Sequence, residues 1–241
     1  MSRERFQDAL WYKKPVKFIV GGSGGIGSWV AFFLTRAGFN VDIYDFDLVE
    51  EHNLGGQLFF ADSIGKSKVK ALTDVICQFN GNDFNLNAHD KKIDQNTHIS
   101  QSYHGHYIFV SAFDNMLARE QLFNKFMKFC NNKQSFNKIW FIDGRLLMEQ
   151  MRIYNISSED QKSIQDYIEN HLFPDSDVEE APCTMKQVSH SAAMIATHMM
   201  GFMTNIIANE FEWKDSVFRV PYIWDYIIPS NQITEKYGYE L

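Results

Sequence analysis

Apolar and polar positions sort the first fifty residues into three elements. Residues 16–21 are almost wholly apolar and stop at glycine, the pattern of a short strand buried on both faces. Residues 25–36 carry apolar positions at helical spacing, and Gly38 stands where a helix-terminating glycine belongs. Residues 40–46 alternate and predict a second strand. Strand, helix and strand within about thirty residues make a βαβ unit with a right-handed crossover.

The pattern continues less sharply. Residues 47–65 form a long connection whose Leu54, Leu58, Phe59 and Phe60 predict order. A helix is predicted over 66–79, with Val69, Leu72, Val75 and Ile76 on one stripe. Residues 84–88, 107–112 and 139–143 read as strands, and 115–130 as a helix. Residues 146–156 alternate loosely, as a strand antiparallel to the one before. Residues 158–172 read as an amphipathic helix, 173–182 as an acidic exposed loop, and 187–209 as a long Met-rich helix. One or two strands are predicted over 217–228, and a loose polar tail over 230–241. The fold class is α/β: a Rossmann-like, mostly parallel sheet flanked by helices, with an antiparallel extension in the C-terminal part. The expected parts are an arm at 1–15, a Rossmann-like region at 16–144, and an extension of the same domain at 145–241.

Composition narrows the picture. A net charge of −7 argues against nucleic-acid binding, for which a basic surface supplies most of the affinity. Cys77, Cys130 and Cys183 are widely spaced, so a cysteine-rich zinc site is not expected, and reduced thiols fit a cytoplasmic setting. No signal peptide and no membrane span are expected, because no h-region and no run of eighteen apolar residues occur.

The chemistry begins where the first strand ends. Gly22, Gly24 and Gly27 make G-x-G-x-x-G between a strand and a helix. The first glycine permits a tight turn, the second lets backbone approach a phosphate, and the third lets the helix sit close. Asp45 ends the second strand, where a carboxylate can accept from ribose hydroxyls, and Asp47 is the other candidate. Lys66 and Lys68 open the next helix. A lysine in a first turn opposes the helix dipole, a placement that makes sense facing a polyphosphate. Asp114 follows a buried strand, at the edge where open α/β sheets bind ligands. It can hold Mg²⁺ beside phosphates or cap the next helix.

In order, the glycine loop, the D-x-D-x-V-E-x-x-N-L run from Asp45 to Leu54, G-K-x-K at Gly65 to Lys68, and D-N-x-x-x-R at Asp114 to Arg119 resemble the ThiF/MoeB/HesA superfamily of ubiquitin-activating-enzyme-like adenylyltransferases. The resemblance implies that ATP and Mg²⁺ serve to adenylate the C-terminal carboxylate of a small ubiquitin-fold carrier protein or peptide. It implies that Gly22, Gly24 and Gly27 cradle phosphates, that Asp45 holds the ribose, and that Asn53 and Gln57 lie near the phosphates. Lys68 would contact the polyphosphate, with Lys66 as the fallback, and Asp114 would bind Mg²⁺. Arg119 is expected to pair with an acid as a structural residue.

Two departures stand out. The family usually carries arginine in N-L-x-R-Q, where this chain has Gly56. Arg3 and Arg5 are candidate substitutes, because an N-terminal arginine of the family can reach across a homodimer. The paired C-x-x-C zinc ligands of many relatives are absent. Cys183, between an acidic loop and a long helix, is a candidate nucleophile or a packing thiol. The Met-rich helix suits a core or a homodimer seam. Two other readings remain: a non-catalytic relative that binds nucleotide or a partner, and an NAD-dependent oxidoreductase sharing only the glycine loop and Asp45.

Overall fold

In a computed structural model of the chain, which describes residues 5–132, 138–147, 149–174, 176, 188–211 and 217–238, the predicted βαβ unit is β1 (Val16–Gly21), α1 (Gly25–Arg36) and β2 (Asn40–Asp45). Gly38 ends α1 with a φ of 84°, a conformation that favours glycine. α2 (Lys68–Asn80) and β3 (Asn85–Asp90) follow, then β4 (His106–Ser111), α3 (Met116–Asn131) and β5 (Ile139–Leu147). β6 (Gln150–Ser157), α4 (Gln161–Asn170), α5 (Ser189–Phe211), β7 (Ile223–Ile227) and β8 (Gln232–Lys236) complete the order.

All eight strands join one sheet in the order β3-β2-β1-β4-β5-β6-β7-β8. Neighbours from β3 to β5 pair in parallel, and β6, β7 and β8 are antiparallel additions. β1, β2, β4 and the first half of β5 are buried on both faces because helices or loops lie above and below them, whereas β3, at the sheet edge, is largely exposed. Phe18, Val20, Ile43 and Val110 face α1, α2 and α5, whereas Ile19, Phe109 and Phe141 face α3 and α4. β5 runs through position 144, so residues on both sides of that boundary share one strand.

α5 is long and apolar enough to cross a bilayer by composition, and half of that stretch is buried within the protein. Ile195, Met199, Met203 and Ile206 lie in the core cluster with α1 and the sheet. Met199 packs so closely on β5 that a Cβ at Gly144 would lie 2.5 Å from its Sδ.

Three local expectations change. The helix predicted from 66 begins at Lys68, because residues 65–67 pair back onto the connection. Val49 N donates to Lys66 O, Gly65 N donates to Val49 O, and Leu48 bridges Ser67. Residues 217–222 form no strand, because side chains of α5 take their backbone hydrogen bonds. Asn209 pairs with both the N–H and the carbonyl of Phe218, and Asn205 donates to Arg219 O. The tail predicted over 230–241 is not loose at its start: residues 232–236 are β8, an edge strand on β7. All five of its residues are exposed, so hydropathy carried no strand signal there.

Candidate nucleotide site

The strand order reverses between β1 and β4, and at such a point the loops leaving the carboxyl ends diverge into a crevice. The glycine loop borders it. Gly22 has a φ of 89° and lies against Ala112 O. A Cβ at Gly27 would stand 1.9 Å from Gly22 O, so only glycine lets α1 seat on the loop. Gly24 differs, because a Cβ there would meet nothing nearer than the Gln57 amide at 3.8 Å. α1 starts without a side-chain cap and without an acidic residue in its first turn. Its orphan N–H groups and positive dipole end suit an anion.

Direct contacts run outward from this loop. Asp45 is buried, and its Oδ2 accepts from the backbone N of Ser23 at 2.7 Å and from Ser23 Oγ at 2.9 Å. Its Oδ1 accepts from Asp47 N at 2.9 Å. Asp47 Oδ2 in turn pairs with Lys68 Nζ at 3.0 Å, and Lys68 N donates to Asp47 O. The lysine side chain is 10% exposed and that of Asp47 49%, so the pair opens to solvent on the carboxylate side. Lys66 lies elsewhere, half-exposed and 3.7 Å from Asp74.

Asn53 is buried and serves its own turn. Its Oδ1 accepts from Glu50 N, while the Glu50 side chain accepts from Asn53 N. Gln57 reaches over Gly24, held there because Leu58 N donates to Ser28 Oγ on α1. Gln57 Oε1 is buried with no partner, a cost a folded protein usually avoids. Gly56 supplies no cation.

Asp114 follows β4 and is exposed. Asn115, not Asp114, caps α3 by accepting from Ala118 N, so the aspartate has no capping duty. Behind it lies a cluster that sequence reasoning saw only in part. Arg119 is buried and pairs with Asp143 Oδ1, as expected of a structural arginine, and also donates to Phe113 O. Asp143 Oδ2 accepts from Arg145 Nε at 2.7 Å and from Tyr167 hydroxyl at 2.9 Å. Burial alone would raise the Asp143 carboxyl, but Arg119 and Arg145 outweigh it and hold its pKa below the ordinary carboxylate range. Burial, aided by Asp143, pushes the Tyr167 hydroxyl well up. The signal available in sequence was Asp143 and Arg145, two apart at the end of an apolar strand and so on one face.

Other candidates fall away from the crevice. Arg5 is exposed on an arm whose Trp11 packs on Phe39, at the amino ends of the strands. Arg3 and Cys183 lie outside the described residues. His106 accepts from Lys138 N at 2.7 Å, and burial lowers its pKa. Among the described residues no three His, Cys, Asp or Glu side chains gather to hold a metal unaided. A cleft of about 260 Å³ lies at the amino edge, lined by Lys17, Asn40, Asn85, Asn87 and Tyr103. Its charges satisfy one another through Lys17–Asp42 at 2.9 Å and Asn87–Asp42 at 2.7 Å. The crevice at the carboxyl edge, with its uncapped helix and orphan amide oxygen, is where ligand chemistry is wanted.

Known proteins resemble this arrangement. The crystal structure of selenomethionine PaaA has a TM-score of 0.65 at 18% identity, covering 98% of this chain and 67% of that one. E. coli MccB solved with ATP has a TM-score of 0.66 at 17% identity, covering 96% of this chain and 65% of that one. The microcin C7 biosynthetic enzyme MccB in complex with N-formylated MccA has a TM-score of 0.63 at 16% identity, covering 96% and 66%. The chain spans about two thirds of the length of these structures, and at such identities the likeness is one of fold. No curated protein sequence matches the chain. A profile of the ThiF family matches residues 6–219, and by that match the chain belongs to the ThiF family.

Proposed function

We propose that this chain is an ATP-dependent adenylyltransferase that activates the C-terminal carboxylate of a small ubiquitin-fold carrier protein or a peptide. The observation that carries the reading is the unbroken run of contacts from Ser23 through Asp45 and Asp47 to Lys68, beside an uncapped helix N-terminus. An anion-binding backbone, a buried carboxylate and an ammonium are thereby linked at one sheet edge. Family membership and the likeness to MccB solved with ATP support ATP over NAD.

In this reading the α1 N–H groups hold phosphate and Gly24 admits it closely. Asp45 meets the ribose, and Gln57 and Asn53 border the phosphates. Lys68 leaves Asp47 for the polyphosphate, and the Asp47 carboxylate, 49% exposed, turns to water. Asp114, exposed and held only by a 3.3 Å hydrogen bond from Asn115 Nδ2 to its Oδ1, suits Mg²⁺, which takes one or two carboxylates plus phosphate oxygens. Bound there, the ion would neutralise phosphate charge. The reaction then asks mainly for alignment of two anions: the tail carboxylate attacks the α-phosphorus and pyrophosphate leaves. Arg5 points to a homodimer, in which it serves the other protomer's site. Cys183 is the candidate acceptor of the activated tail.

ATP–pyrophosphate exchange tests the reading. Exchange should require Mg²⁺ and a carrier or peptide tail. A chain that binds NAD and not ATP ends it. Gly56 favours one second reading, a non-catalytic relative; ATP binding without exchange, against carriers and peptides alike, would select that reading.

A further inference from the structure

We propose that Ser23 restricts Asp45 to a single ribose hydroxyl and so sets how this site discriminates among sugars, an inference that rests on the ATP reading above. A carboxylate offers two acceptor positions on each oxygen. On Asp45 both positions of Oδ2 are filled by one residue, through Ser23 N at 2.7 Å and Ser23 Oγ at 2.9 Å. One position of Oδ1 is filled by Asp47 N at 2.9 Å. A single acceptor position remains, on Oδ1. Vicinal ribose hydroxyls held by one carboxylate require two. Ser23 is fully buried and Asp45 is 9% exposed, so solvent does not compete for these bonds. No second position on Asp45 is left for the other hydroxyl. The Ser23 hydroxyl is the replaceable part of the lock, because its backbone N–H stays in any variant. Ser23 is a positioning residue: it acts on the sugar through Asp45.

Calorimetric titration of the full chain with ATP, 2′-deoxy-ATP, 3′-deoxy-ATP and tripolyphosphate tests this. Wild type should bind one deoxynucleotide about tenfold or more weakly than ATP, the loss expected for a hydrogen bond to a charged acceptor, and the other within about threefold. Ser23→Ala empties one position beside Oδ2, so both deoxynucleotides should then bind about tenfold or more weakly than ATP. Tripolyphosphate affinity should be the same in both proteins, because it senses only the loop and the cations. Equal penalties for both analogues in wild type, or an unchanged pattern in Ser23→Ala, would overturn the inference. A parallel loss of tripolyphosphate and ATP affinity would also overturn it, by reducing Ser23 to a support for the loop. Absence of ATP binding to wild type would remove the ATP reading and this inference with it, a result distinct from ATP binding with the wrong sugar pattern.

Discussion

Asp114, just past β4, and Asp143, where the parallel pairing of β5 with β4 ends, live in opposite worlds. Asp143 has no exposure and spends both oxygens on Arg119, Arg145 and Tyr167, tying β5 to α3 and α4. Asp114 is exposed, and the capping of α3 falls to its neighbour Asn115. The lesson is one of satisfaction. A carboxylate whose acceptor positions are all answered from within the protein is a structural device. One that is exposed at a crevice, with only a 3.3 Å hydrogen bond from the adjacent Asn115, is available for a ligand.

The sharpest way to break this comparison is to remove each acid in turn. Asp143→Ala should cost about 3–5 kcal/mol in urea denaturation, because the buried Arg119 and the partly buried Arg145 guanidinium groups lose their counter-charge. Asp114→Ala should leave stability within about 0.5 kcal/mol and cut Mg²⁺-dependent ATP turnover by about two to three orders of magnitude. If the two stabilities respond alike, the distinction is wrong. pH sharpens it further. The Asp143 carboxyl is held below its unfolded value, so its stabilisation is present above about pH 4 and is lost as pH falls through the folded value. Asp143→Asn should flatten that acid-side loss in denaturation curves, and Asp114→Asn should not.

Smaller effects separate scaffold from chemistry within the crevice itself. Gly27→Ala should destabilise by about 1–3 kcal/mol or more, since its Cβ would collide with Gly22 O, and α1 would move off the loop. Gly24→Ala meets no such clash, so its folding should be nearly unchanged while ATP affinity drops. The smallest change is Asp47→Asn. It should shift stability by about 1 kcal/mol or less and leave ATP binding equal or tighter, because Lys68 is freed. Weaker ATP binding in Asp47→Asn would mean that Asp47, not Lys68, is the nucleotide contact.

Much of the parallel half was legible because β1, β4 and the first half of β5 are short apolar runs and β2 alternates. The turn at Gly22, the helix end at Gly38 and the carboxylate at Asp45 could be read from type and spacing alone. β8 could not, since Gln232 to Lys236 are all exposed and gain strand geometry only by pairing with β7. The helix predicted from Lys66 started two residues late for the same kind of reason: backbone pairing with residue 49 claimed the segment first. Lys66 thereby turned toward Asp74, and Lys68 toward Asp47.

Residue order alone determined the βαβ start, the anion-ready glycine loop and the pool of acids and lysines near it, because those depend on local backbone freedom and short-range periodicity. Only the folded chain decided how that pool was shared out. Ser23 came to fill one side of Asp45, Asn115 relieved Asp114 of capping, and Arg119 reached Asp143 from α3. Such assignments pair groups about twenty residues apart or choose between neighbours. Each is settled by which donor reaches a buried acceptor first in three dimensions, a competition that spacing along a chain does not record.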